Sequence, residues 1–244
     1  LPLDYYLSLV RETRRRFPEV TPRYFTASEI QTIAQVTGKG VADIITLLKD
    51  AGLSTLPGGG AEVLSERVRK RIEPKKGGPE AWLAVHREAH RQGLRSTATM
   101  MYGHVETPED LVEHLEAIRE LQDEYRGFTA FVPWSFKPGN TLLEKWIKHY
   151  QGPNAYLRML GVSRLYLDNF PHIQASWFSE GKRAGQVALH WGADDFGGTL
   201  FEENVHAAAD YVNKTTVEEI VELIRGAGFT PAQRTTTYDI LKTY

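Results

Sequence analysis

Cysteine is absent from all 244 residues. Within these residues that excludes disulfides, zinc–thiolate sites, thiol nucleophiles and thiolate-ligated iron–sulfur clusters. An excess of one charge is missing too. A net charge of −2 gives no electrostatic basis for holding nucleic acid or a membrane surface. A basic run, Arg14–Arg16, follows apolar Tyr6, Leu9 and Val10 and reads as a solvated helix end. No apolar stretch approaches the ~20 residues of a membrane span, and Leu1 does not open a signal peptide. A cytoplasmic location is therefore expected. Repeats, low-complexity tracts and linkers are also lacking. What remains is ordinary for a globular protein, 41% hydrophobic and 25% charged residues, and the length suits a single (β/α) barrel domain.

Helix and strand patterns alternate along the chain. Apolar spacing predicts a helix over Leu3–Phe17 and a strand over Val20–Phe25. Thr26-Ala-Ser-Glu29 is a capping box opening the next helix, and Val41–Lys49 is another, stopped by Gly52. A short strand runs into Pro57-Gly-Gly-Gly60, and helices follow at Val63–Arg71 and, after Pro79, at Ala81–Arg91. Strands are expected at Leu94–Met101, Phe128–Trp134, His172–Phe178 and Gly197–Leu200. Helices are expected after the capping box Thr107-Pro-Glu-Asp110, in a short piece at 142–150, and at Tyr156–Leu167, Lys182–Trp191 and Thr215–Arg225. Strand–helix alternation of this kind gives a parallel sheet, and at this length an α/β fold of the TIM-like (β/α) barrel type. Residues 1–244 read as one domain, with 201–244 as a C-terminal extension packing on the barrel.

Barrels of this kind carry their sites at the C-terminal ends of the strands. The unusual residues fall there: Thr26 and Ser28, the glycines with Glu62, Tyr102 to Glu106, Trp134 with Phe136, Trp177 with Ser179, and Asp194 with Asp195. The turn at Leu53–Glu62 is central among them. Glycine permits close approach of a ligand to the backbone, although a tight connection that binds nothing has the same composition. The aromatic residues suggest a ligand with flat rings. His86 and His90, four apart on a helix, have the spacing of a metal pair but no third ligand. A solvated face of the outer wall is the reading adopted for them. Asp194-Asp195 reads as a cap or loop hydrogen-bonding pair, and no metal site is expected within the chain.

The segment Thr99-Met-Met-Tyr-Gly-His-Val-Glu106 resembles the fifth-strand motif Gly-x-Ile-x-Gly-x-x-Glu of biotin-synthase-like radical S-adenosylmethionine (SAM) enzymes, with Thr99 and Met101 replacing the first Gly and the Ile. Pro57-Gly-Gly-Gly-Ala-Glu62, Leu121-Gln-Asp-Glu124, Leu167-Asp-Asn169, Gly192-Ala-Asp-Asp195 and Glu202-Glu-Asn204 resemble the menaquinone enzymes of the futalosine pathway within that group. The resemblance covers essentially the whole chain. Phe131-Val-Pro-Trp134, Ile173-Gln-Ala-Ser-Trp177 and Thr230-Pro-Ala-Gln-Arg234 are most similar to the enzymes that cyclise dehypoxanthine futalosine. Aminodeoxyfutalosine synthases and the deazaflavin-forming FO synthases share much of the pattern.

The resemblance implies SAM and a 4Fe–4S cluster as cofactors, an oxidoreductase-class radical enzyme, a small nucleoside substrate, and a one-electron reductant such as flavodoxin or ferredoxin. It also implies a Cys-x-x-x-Cys-x-x-Cys cluster motif and a second-strand Gly-Gly motif, neither of which occurs here. Both, with the first two strands of the barrel, are expected upstream of Leu1; the 244 residues alone are expected to be inactive. If no such segment exists, the other reading is a cluster-less nucleoside-binding or partner protein. For SAM the resemblance points to Gly58, Gly59, Gly60, Glu62, Thr99, Met101, Tyr102, Gly103 and Glu106. For substrate it points to Ser28, Trp134 and Trp177, with Arg183 and Arg234 as candidate cations for a carboxylate. His104 is the candidate proton acceptor.

Overall fold

The computed structural model describes residues 1–147, 150–200 and 202–244. Helices α1 (Leu3–Arg16), α2 (Ala27–Thr37) and α3 (Val41–Asp50) precede strand β1 (Thr55–Leu56). Then come α4 (Glu66–Ile72), α5 (Pro79–Arg91), β2 (Arg95–Tyr102), α6 (Pro108–Tyr125), β3 (Phe128–Ser135), α7 (Pro153–Tyr166) and β4 (His172–Ile173). Short helices α8 (Trp177–Glu180) and α9 (Lys182–Ala188) are followed by α10 (Val217–Gly226) and a terminal pair, β5 (Ala232–Arg234) and β6 (Ile240–Thr243).

Strands β1 to β4 form one parallel sheet in chain order, and a parallel bridge between Gln174 and Asp195 extends it by one position. This is the α/β arrangement of an open barrel wall, as the strand–helix alternation predicts. Successive side chains of a strand face opposite ways, and β2 shows which way is which. Ser96 reaches α5, whereas Thr97 meets Arg23 and the Gly58 N–H. Thr97, Thr99 and Met101 therefore line the inner wall, and in register with them stand Ala130, Val132 and Trp134 of β3. The alternate residues Ala98, Met100 and Tyr102 are buried outward beneath the helices. That outer layer is the core, where Phe128 stacks on Trp82 at 6.0 Å and on Phe170 at 5.3 Å between ring centroids.

Several expected elements differ. Val20–Phe25 is not a strand: Pro22 lacks an N–H, and Phe25 sits in the left-handed region at φ 65°. The strand expected over His172–Phe178 stops after Ile173 because Ser176 turns away. Its N–H goes to the Tyr156 hydroxyl (2.8 Å), its Oγ to Pro133 O (2.7 Å), and Trp177 begins α8. Gly197–Leu200 forms no strand; the Asp195 bridge takes that place. The helical piece expected at 142–150 is a 3-10 turn over Leu142–Trp146, and its positions 148 and 149 lie outside the described residues. Residues after Phe229 form the antiparallel pair β5–β6. His86 and His90 do not face solvent. They are 0% and 7% exposed, and both bond Ser96 Oγ, at 2.9 and 2.7 Å. The α5 face carrying Trp82, His86 and His90 is the one that packs on β2 and Phe128.

Candidate functional site

The Gly58–Glu62 turn sits where β1 leaves the sheet, and its carbonyls are all engaged. Thr99 Oγ1 donates to Gly58 O (2.8 Å), Trp82 Nε1 to Gly59 O (3.3 Å), and Arg69 Nη1 to Gly60 O (2.9 Å) and Ala61 O (3.0 Å). Glu62 O accepts the Met101 N–H at 2.9 Å, carrying the β1 line along β2 to the rim. Gly58 is glycine because any Cβ there would collide with the Thr97 carbonyl. Gly60 is glycine because it lies at φ 82°. The N–H groups of Gly59 and Gly60 have no acceptor among the described residues, and the turn abuts Thr26 and Ser28 at the start of α2. Glu62 is also left-handed at φ 49°, and its Oε1 lies 3.4 Å from Lys76 Nζ. The turn is thus a rigid arc offering backbone donors and one carboxylate.

The loop after β2 holds itself together. Glu106 accepts the N–H groups of Gly103 and His104, the latter at 2.8 Å. Val105 N–H donates to His104 Nδ1 at 2.8 Å, so the ring proton sits on Nε2 and is given to Met101 O at 2.8 Å. Both nitrogens of the candidate proton acceptor are committed to the loop, and its side chain is 0% exposed. Tyr102 faces the outer layer, where burial raises its pKa and its hydroxyl finds no partner among the described residues. Trp177 is buried as well, its Nε1 giving a proton to Gly198 O at 3.3 Å. Of Tyr102, Trp134 and Trp177, Trp134 is the one on the inner face of a strand, level with Met101.

The two candidate cations are placed apart from this rim. Arg183 is exposed on α9. Arg234 Nη2 donates to Asp195 Oδ2, which also accepts the Tyr238 hydroxyl at 2.7 Å. Tyr238 stacks on His172 with centroids 3.8 Å apart and planes 4° apart, so the β5–β6 tip sits near the start of β4. Burial, then the Asp195 charge, push the Tyr238 pKa up and keep it a donor. Asp194 accepts Ile173 N–H (2.8 Å) and Arg164 Nη2 (2.6 Å), the structural role expected of this pair.

Sequence reasoning missed Arg23, Arg69 and the Ser135–Lys137–Glu180 cluster. Ser135 N and Oγ donate to Glu180 Oε1 at 2.8 and 2.7 Å, and Lys137 Nζ gives to Ser135 Oγ at 2.7 Å, pinning α8 to the end of β3. His206 also went unnoticed; it is 4% exposed, 5.1 Å from the Trp134 ring. Arg69 lies in a run of charges that looks solvated, and nothing in the sequence marks it as buried.

Comparison with known proteins bears on the same regions. Residues 2–118 match the family described as the Radical SAM superfamily, and residues 125–244 the CofH/MqnC C-terminal region. The chain is 41% identical over 244 residues to a cyclic dehypoxanthine futalosine synthase from Halalkalibacterium halodurans, covering 100% of this chain and 65% of that one. It is 41% identical to an aminodeoxyfutalosine synthase from Thermus thermophilus, covering 97% and 65%. It is 40% identical to a 5-amino-6-(D-ribitylamino)uracil–L-tyrosine 4-hydroxyphenyl transferase from Methanopyrus kandleri, covering 99% and 67%. The chain thus spans 65% of the length of the first two relatives. Among solved structures, the [FeFe]-hydrogenase maturase HydG superposes with TM-score 0.66 at 14% identity over 97% of this chain and 51% of that one. Methylornithine synthase PylB superposes with TM-score 0.63 at 15% identity over 93% and 66%. These two establish the fold.

Proposed function

We propose, from the premise that this chain belongs to the radical SAM superfamily, that the full-length protein is an oxidoreductase-class enzyme that cyclises dehypoxanthine futalosine in menaquinone biosynthesis. The observation that carries the reading is the rim arc itself. Its carbonyls are consumed internally, which leaves backbone donors at Gly59 and Gly60 and the Glu62 carboxylate, beside an inner wall of Met101 and Trp134. That set fits a nucleoside: a carboxylate for sugar hydroxyls, N–H groups for acceptor edges, and a flat apolar wall for a ring. Glu62, Gly59 and Gly60 would hold SAM, and Trp134 the substrate ring.

When bound, SAM and the superfamily's 4Fe–4S cluster supply hydrogen-atom abstraction started by one electron from a flavodoxin or ferredoxin. No thiolate for the cluster occurs among the 244 residues, so its ligation is not assigned to them. The protein's own residues bind, orient and exclude water. His104 sets the shape of the β2 exit rather than moving a proton, because both its nitrogens are engaged. The segments Phe131–Trp134, Ile173–Trp177 and Thr230–Arg234 favour the cyclase over aminodeoxyfutalosine synthase, which has equal identity, 41%. Incubating the full-length protein with each candidate substrate tests the choice.

A further inference from the structure

On the inner wall a guanidinium, Arg23, stands beside Thr97. Arg23 Nη2 donates to Thr97 Oγ1, and among the described residues no carboxylate pairs with Arg23. Arg234, whose charge reaches Arg23, is neutralised by Asp195, while its Nε is buried with no partner among the described residues. Burial lowers the Arg23 pKa; Tyr238 opposes the shift and the Arg234 charge adds to it. Arg23 is nonetheless exposed to solvent.

Thr97 completes the picture. Its Oγ1 receives both the Arg23 guanidinium and the Gly58 N–H, the latter at 3.0 Å. Two donors fill the lone pairs of a hydroxyl, so its own proton is left to give. Arg23 spends one of its five N–H groups on Thr97. The free hydrogen-bonding groups of Arg23 and Thr97 are therefore donors, and no carboxylate among the described residues pairs with the Arg23 charge.

We propose that Arg23 and Thr97 form an anion-binding subsite on the inner wall that anchors a carboxylate of the substrate. As a statement about substrate, this rests on the nucleoside reading above. A planar guanidinium matches a carboxylate bidentately. Four residues of strand separate Thr97 from Met101 at the rim, about 13 Å at ~3.3 Å per residue. A ligand held at Arg23 by one end thus presents its other end beside Trp134 and the Glu62 turn.

The test uses the full-length protein and two probes of equal shape, benzoate and benzamide, titrated by isothermal titration calorimetry. Benzoate should bind at least tenfold more tightly than benzamide. R23Q should abolish that preference with benzamide affinity unchanged, and R23K should keep part of it. T97V, which keeps the charge, should reduce the preference several-fold and serves if R23Q does not fold. Equal binding of the two probes, or benzoate affinity unchanged in R23Q, overturns the proposal. Inorganic phosphate displacing benzoate at equal concentration overturns the carboxylate assignment. None of these readouts involves radical chemistry, so this subsite and the cyclase reading can fail separately.

Discussion

Arg69 holds the Gly60 carbonyl at 2.9 Å from inside the protein, its residue only 1% exposed. The same guanidinium also binds the carbonyls of Ala61, Lys76 and Gly77, at 3.0, 3.2 and 2.8 Å. One side chain thus fixes both the rim arc and the connection after α4. Arg69→Met should cost about 3 kcal/mol or more, since it strands several carbonyls whose unmet bonds cost ~1–3 kcal/mol each. Arg69→Lys should recover little of this, because an ammonium cannot fill a planar fork. Urea unfolding of the variants measures it; a loss under about 1 kcal/mol would contradict this role.

Glu62 should matter for SAM and little for the fold. Its carboxylate touches Lys76 at 3.4 Å, a long, partly buried contact that contributes about 1 kcal/mol. Glu62→Gln in the full-length protein should therefore weaken SAM binding about tenfold or more, the loss of charge-assisted hydrogen bonds, with a small change in Tm. Lys76→Met should leave SAM affinity unaltered. SAM affinity unchanged in Glu62→Gln removes Glu62 from the site.

Stability should fall on mild acidification. Burial, with the Arg95 charge, depresses the His90 pKa from 6.5 to about 4. Burial, with the Arg69 charge, depresses that of His114 from 6.5 to about 3. Burial, then the charges of His90 and Arg23, put His86 well below its ordinary value. His114 Nδ1 accepts the Leu64 N–H at 3.0 Å, a bond that protonation of Nδ1 removes. With folded values below the unfolded one, the unfolded chain binds more protons below pH 6.5. The contribution is complete above that pH and is lost as pH falls toward 4 and then 3, with a slope of up to about 1.4 kcal/mol per pH unit per histidine. Unfolding free energies at pH 7.5, 6.5 and 5.5 should show the decline, shallower in His90→Gln. A flat profile contradicts the buried neutral assignment.

Arg234 and Asp195 should behave as a structural pair. Asp195 is 8% exposed and Arg234 25%, so removing either partner should cost about 2 kcal/mol, discounted from the ~3–5 kcal/mol of fully buried pairs for the exposed arginine. A double-mutant cycle with Arg234→Met and Asp195→Asn should give a coupling near 1 kcal/mol, and Arg234→Met should leave SAM affinity intact. Additive effects would contradict the pairing.

Much of this was legible in the sequence. The long strands β2 and β3 and the helices α5, α6 and α7 follow from apolar periodicity and capping, because each commits apolar side chains to the core. Elements fixed by single distant bonds were not: Ser176 leaves β4 for Tyr156 O–H and Pro133 O, and no local pattern announces that. Solvation was misread at His86 and His90, where a helix face of polar composition packs inward around one serine hydroxyl. For the site, the glycine turn and Glu62 were visible as composition. The internal use of every turn carbonyl was not, since Arg69 and Trp82 are distant in sequence or look solvated. Gly58, expected to admit a ligand, instead admits strand β2.

The most direct test of the account is product identity. Full-length protein, reconstituted anaerobically with iron, sulfide, SAM and a one-electron reductant, is incubated with dehypoxanthine futalosine and analysed by mass spectrometry. The account predicts cyclic dehypoxanthine futalosine together with 5′-deoxyadenosine. Conversion of an enolpyruvyl-benzoate to aminodeoxyfutalosine, with dehypoxanthine futalosine returned unchanged, would contradict it.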